Sequence, residues 1–425
     1  MKNKFPALFR VLEAVVIFLA VALVNINSLT RFRQFPEVDT YSDHEGDYIV
    51  AAILVLAWFV LILHRTKLFV AFADSWKKNL PLILFLLYAL SSLLWTIYPP
   101  ATTYKLFFLF FSTLAGSYLA VRYKTSGMLD VLTWAGGILA VLSLLIVLFL
   151  PFVGVMQNRP FIGSWTGIFW HRNHTGNLFA FFNMVFLLRF ILADRKRRWS
   201  KVLNLVFYAL TALLVFGSRS ATGVIVFLFL HFVIGLVAVW LNFRDRMKAW
   251  HYYASAALLL TGFLVFITNA VFFFGLLGRS ANMTGRIPLW QDLFSRVYLE
   301  QPILGFGYGA LWMLKSFRIE MQIYHEWPYQ IYFADNGFFD ILLNLGLIGL
   351  LLFLAVYIPL GIRSFNQAVA ARSWIGFFPF LTFLYIFIGN LTYSFLLEVD
   401  QFVWMLLVIM VFATTSPTMN SDAQP

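Results

Sequence analysis

Apolar runs of about twenty residues recur from one end of the chain to the other, and this repeat constrains the fold more than any other feature. Coiled as a helix, a run of that length crosses the hydrocarbon core of a bilayer with its backbone N–H and C=O groups bonded internally, as lipid requires. The runs fall near residues 9–26, 48–64, 80–97, 104–121, 129–152, 175–193, 202–217, 222–241, 251–276, 337–360, 375–395 and 400–415. The expected fold is an all-α integral membrane protein of about 12 transmembrane helices, with a large, partly helical periplasmic loop before the tenth span. Composition agrees: 61% of residues are hydrophobic and 12% charged, about half the charge of a soluble protein. No soluble appendage is visible, so residues 1–425 read as a single polytopic membrane domain. The first run follows Lys2 and Lys4, lacks a small-residue cleavage site and reads as an uncleaved helix.

Charge sets the orientation. Alternate connections carry Arg65, Lys67, Lys77 and Lys78, then Arg122 and Lys124, then Arg195 to Arg198 and Lys201, then Arg244, Arg246 and Lys248, then Arg363 and Arg372. Basic residues mark the cytoplasmic side. They fall on the same side as Lys2 and Lys4, which predicts that both termini are cytoplasmic. The formal charge of +12 does not point to nucleic acid, because the basic residues lie between spans and not along one face. With no cysteine in the chain, a thiol nucleophile, a disulfide and a thiolate-bound metal are excluded.

The outward connections break that charge rule. The loop after the first span is acidic, with Glu37, Asp39, Asp43, Glu45 and Asp47, yet residues 277–336 hold Arg279, Arg286, Arg296, Lys315 and Arg318. Two shorter outward segments carry Arg172 and Arg219. Arginines placed against the orienting rule need another reason, and an anionic partner at the outer face supplies one.

Five segments carry the candidate chemistry. Trp165–Gly176, with Arg172 and Asn173, lies where the sixth span begins; it reads either as a polar site at the membrane surface or as a capped helix start with interfacial tryptophans. His171 and His174 lack a third ligand nearby in sequence, so no metal is expected there. Gly217–Gly223 is a tight turn whose Arg219 either binds an anion or reaches lipid headgroups. Thr284–Trp290 places Arg286 just before a short proline-started helix containing Trp290, a combination suited to phosphate. Gly305–Gly309 resembles a phosphate loop only superficially and reads as a flexible bend. Tyr332–Gly349 closes the loop: Asp335 and Asn336 sit at a helix cap, Asp335 being also a candidate base, while Asp340 and Asn344 enter the bilayer one turn apart. Gly346 and Gly349 suit close helix packing.

Taken together, WTGIFWHRNHTG, GSRSATG, TGRIPLW and DNGFFDILLNLGLIG resemble the O-antigen ligase and O-unit polymerase superfamily across roughly residues 160–350, most closely its succinoglycan-type exopolysaccharide polymerases. The resemblance implies a glycosyltransferase of the bacterial inner membrane, with a saccharide on undecaprenyl pyrophosphate as donor. It implies no metal and no cofactor. Arg219 and Arg286 would hold the pyrophosphate, with Arg172 beside them, and Asn173, Asn336, Asp340 and Trp290 would line the substrate. The family often has a histidine where this chain has Asp335, so Asp335 takes the place of the base and His325 is the second candidate. Membrane lipid and other polysaccharide assembly and export proteins are the expected partners. A lipid-linked sugar flippase is the main alternative, but it would need charges spread through the spans, and few are present. A scaffold protein would leave the arginine-rich loop without a purpose.

Overall fold

The computed structural model describes residues 66–157, 161–194, 198–246, 286–325, 331–396 and 402–415, together with Thr261. Within them the chain is helical. In order come α1 (Thr66–Lys77), α2 (Leu80–Ser91, extended by a 3-10 turn to Leu94), α3 (Pro99–Arg122), α4 (Thr125–Phe149), α5 (Arg172–Leu192), α6 (Arg198–Gly217) and α7 (Ala221–Phe243). After the residues left undescribed come α8 (Arg286–Asp292), α9 (Lys315–Tyr324), α10 (Gly337–Ala371), α11 (Trp374–Thr392) and α12 (Phe402–Thr415). Among the described residues, seven helices are long and apolar enough to cross a membrane: α3 to α7, α10 and α11. The runs near 80–97 and 400–415 form shorter apolar helices, while those near 9–26 and 48–64, and that near 251–276 apart from Thr261, lie outside the described residues. The chain is a multi-pass, all-helical membrane protein.

Local chemistry explains where these helices start. Proline occupies the first turn of α2 and of α3, where its missing N–H costs nothing. Ser220 caps α7 by accepting from the Gly223 N–H, and Ser373 caps α11 by accepting from the Gly376 N–H. Asn336 caps α10, its Oδ1 accepting from the N–H groups of Phe338 and Phe339.

Packing follows from polarity around each helix. α12 is buried on every face from Phe402 to Thr414, as an all-apolar helix is when protein surrounds it. It packs against α3, α10 and α11, whereas α5 lies among α4, α6, α7 and α11. The helices around them leave large apolar side chains uncovered, including Leu148 on α4, Val206 on α6, Phe232 on α7 and Ile358 on α10. In water such a surface invites aggregation; in a bilayer it is the solvated face.

α10 is broken. Gly346 adopts φ 64° and ψ −168°, a conformation open to glycine and strained for other residues. The break frees backbone groups, and the chain before α9 bonds to them. Phe306 and Gly307 donate to the carbonyls of Leu343 and Asn344 at 3.1 and 2.9 Å; Leu347 and Ile348 donate to the carbonyls of Pro302 and Ile303. A Cβ on Gly346 would collide with the Ile303 carbonyl. Gly346 therefore admits a second backbone into the helix line, and does not serve helix–helix packing as the sequence suggests. Gly305–Gly309 is likewise buried and bonded, not a flexible bend: its glycines let the backbone press against Asn344, Thr96 and the Lys105 side chain.

Candidate active site

Arg172, Asn173 and Arg219 converge where α5 and α6–α7 meet. Gly223 of α7 packs directly on the Gly176 backbone of α5, so the two helix starts touch. There Arg172, 5% exposed, donates from Nη1 to the Arg219 carbonyl at 2.6 Å, and its guanidinium lies 4.0 Å from the centre of the Phe161 ring. Ser220 Oγ donates to Asn173 Oδ1 at 3.0 Å, and His171 Nδ1 accepts from the Asn173 N–H. Arg219 itself is exposed at φ 50°, and its Nη1 donates to the Ile162 carbonyl over a long 3.4 Å. Arg172 and Asn173 thus brace the turn, and Arg219 is the guanidinium this cluster offers to solvent.

Arg286, Asp335 and Trp290 form the second cluster. Arg286 is the first residue of α8 itself, so the helix begins earlier in the chain than the sequence suggests. Its Nε donates to Asp335 Oδ2 at 2.8 Å, and the pair is only partly exposed, 16% and 24%. One turn on, Trp290 Nε1 donates to the Ala334 carbonyl at 2.7 Å. α8 is thereby pinned at two points across the residues that lead into α10. Asp335 holds φ 55°. It and Arg219 each immediately precede an N-cap residue, in a left-handed conformation that costs non-glycine residues roughly 1–3 kcal/mol. Among the described residues Arg372 alone shares this feature outside glycine.

Asp340 lies behind this cluster. Its carboxylate is 2% exposed and accepts from Trp312 Nε1 at 2.6 Å and from the Ala334 N–H at 3.2 Å. Asn344 Nδ2 donates to the Asp340 carbonyl. This buried carboxylate joins the loop, through Trp312, to the entry of α10. It anchors Ala334, the residue that also receives Trp290. Asn336 faces its own helix as a cap and Asp340 faces protein groups, so both act on the site through its framework. Nearby, Tyr308 is wholly enclosed, and burial raises its phenol above the usual range.

His325 stands elsewhere on the loop. Its Nε2 lies 3.7 Å from Asp292 Oδ2, at the end of α8 opposite Arg286, about 9 Å along a seven-residue helix. Arg296 reaches the other oxygen of Asp292 at 3.3 Å and lies 4.4 Å from the centre of the Tyr324 ring; the neighbouring Asp292 charge raises the Arg296 pKa. Asp292 is buried and carries a π-helical turn, Leu293–Val297, immediately after it. No spacing in the sequence links Asp292 to His325, thirty-odd residues away.

The two arginine clusters are joined by rings. Trp170, beside His171, packs edge-on to Tyr332 at 6.4 Å and to Phe333 at 6.3 Å, and Phe333 packs on Tyr393, over which His171 stacks. The path runs from the start of α5 to the start of α10. Among the described residues, no group of three or more His, Asp or Glu side chains is placed to hold a metal ion.

A search of curated proteins found no match. Residues 205–354 match the family model described as O-antigen ligase. The matched segment contains Arg219, Arg286, Asp335 and the Gly346 break; Arg172 and Asn173 precede it. The match, which runs from α6 into α10, points to an O-antigen ligase or polymerase type of membrane enzyme acting on a lipid-linked polysaccharide, and supports the likeness of this segment to the O-antigen ligase and polymerase superfamily.

Proposed function

We propose that the protein is a metal-independent glycosyltransferase that polymerises, or ligates, polysaccharide repeat units carried on undecaprenyl pyrophosphate. It works at the outer face of a bacterial inner membrane, with both termini in the cytoplasm. Other proteins of polysaccharide assembly and export work beside it. The observation that carries this reading is the Arg286–Asp335 ion pair at the entry of α10, in a family whose substrates are lipid-linked glycans.

The reaction asks for two things, and the pair supplies both. An acceptor hydroxyl attacks the anomeric carbon of the donor; the C–O bond to phosphate breaks, and the lipid pyrophosphate leaves with the electron pair. Charge grows on the leaving group, where fixed guanidiniums stabilise it, by about 2.7–4 kcal/mol for each well-placed donor by analogy with oxyanion holes. The hydroxyl proton passes to Asp335, a contribution of roughly 10²–10⁴ in rate. A pyrophosphate bound at Arg286 competes with Asp335 for the guanidinium. Donor binding therefore frees the carboxylate as the acceptor arrives. Arg219 is the second guanidinium, with Arg172 holding its backbone. His325, paired with Asp292, is the base if Asp335 is not.

Glycan chain-length analysis in cells lacking the protein tests this. Loss of long polymer with single lipid-linked repeats persisting is the expected result for a polymerase; loss of transfer to a different acceptor, with polymer intact, is that for a ligase. Unchanged glycans would refute both.

A further inference from the structure

We infer that Trp170 and Tyr332, flanked by Arg318, form a sugar-binding platform that holds a pyranose ring of the acceptor glycan between the two arginine clusters. This assignment to the acceptor rests on the glycosyltransferase reading above; the platform itself rests on geometry.

Trp170 belongs to the α5 entry and Tyr332 to the α10 entry, so the platform exists only where those two segments meet. Tyr332 is 47% exposed and is held from one side by the Arg318 guanidinium, 4.9 Å from its ring centre. Arg318 is fixed in turn by donating from Nη1 to the Trp312 carbonyl at 2.8 Å. Trp312 is the residue bonded to Asp340, so the platform is braced by the same framework that sets Ala334 and Asp335.

The surroundings separate this from membrane anchoring. An anchoring tryptophan lies at the headgroups with its ring directed away from the protein. Trp199, at the start of α6, has the exposure that such a role needs, 85%. Trp170 instead packs among His171, Tyr332 and Phe333 of its own chain. Pyranose rings present a face of polarised C–H groups that pack on aromatic rings, while their hydroxyls bond to planar charged donors at the ring edge. Two rings with a guanidinium beside them match that pattern. The donor's charged end is already provided for by Arg219 and Arg286. The rings between them, with Arg318 as a donor for hydroxyls, suit the glycan partner.

The test uses the full chain in lipid nanodiscs and three phosphate-free probes: maltopentaose, cellopentaose and a β-1,3-linked glucan pentasaccharide, each followed by saturation-transfer NMR. At least one should bind. Trp170→Ala and Tyr332→Ala should weaken that binding tenfold or more, Trp170→Phe should largely retain it, and Trp199→Ala should leave it unchanged. Thermal unfolding of each variant identifies any loss that reflects misfolding, and Trp170→Phe, which keeps a ring in place, then decides the matter. Binding by none of the probes, or binding that survives both alanine variants, or that falls equally in Trp199→Ala, overturns the platform. The same preparations are assayed for turnover of lipid-linked donor. Ring-dependent binding without turnover would overturn the enzymatic reading and keep the sugar site; turnover with ring-independent binding would do the reverse.

Discussion

Arg286 donates from Nε to Asp335 Oδ2 at 2.8 Å, tying the first residue of a loop helix to the residue that precedes the cap of α10. If the pair acts as a unit in catalysis, its members should not contribute independently. Arg286→Ala and Asp335→Ala should each lower kcat/KM by about 10²–10³. The double variant should lose less than the sum, with a coupling of roughly 0.5–3 kcal/mol. Additive losses would show that the contact is incidental.

The Trp312–Asp340 bond is expected to hold the site's frame. Trp312→Phe removes the donor and leaves a buried carboxylate oxygen short of a partner, at a cost of about 1–3 kcal/mol. Asp340→Asn keeps the shape and one acceptor and should cost less. Thermal unfolding in detergent measures both, and a Trp312→Phe protein as stable as the parent would remove Asp340 from the framework.

Gly346 should resist substitution more than its neighbours. Gly346→Ala combines a left-handed backbone with a collision against Ile303, and backbone strain alone costs roughly 1–3 kcal/mol. Gly235, on α7 with open space around its Cα, serves as the control: Gly235→Ala should be neutral or stabilising by up to about 1 kcal/mol. Comparable unfolding temperatures for the two variants would contradict the threaded arrangement of α10.

Arg172 and Arg219 should separate into brace and ligand. Arg219→Ala should lower donor turnover by about 10²-fold without loss of stability, whereas Arg172→Ala should lower both, because its bond holds the Arg219 carbonyl. The two measurements together are decisive, and a destabilised Arg219→Ala with a stable Arg172→Ala would reverse the assignment.

Long apolar runs were legible in the sequence because a spanning helix needs length and little else; each such run among the described residues is a helix. Asn336 was likewise readable as a cap, since capping depends on neighbours two or three residues away. The partners of the charged groups were not legible. Arg286 and Asp335 are separated by 49 positions, and His325 finds Asp292 rather than Asp335, so their pairing depends on how α8 lies across the entry of α10. Gly346 looked like a packing glycine because nothing local reveals that residues 302–307 insert beside it. Whether Trp170 belongs to a surface site or to an interfacial belt stayed open for the same reason: Tyr332 reaches it only through the fold.

The central claim is that Arg286 and Arg219 grip a departing diphosphate. Single-turnover kinetics with purified protein in nanodiscs and an undecaprenyl-pyrophosphate-linked oligosaccharide test it most directly. Arg286→Ala and Arg219→Ala should each slow release of the lipid pyrophosphate by about 10²–10³. Release at the parent rate in both variants would contradict it.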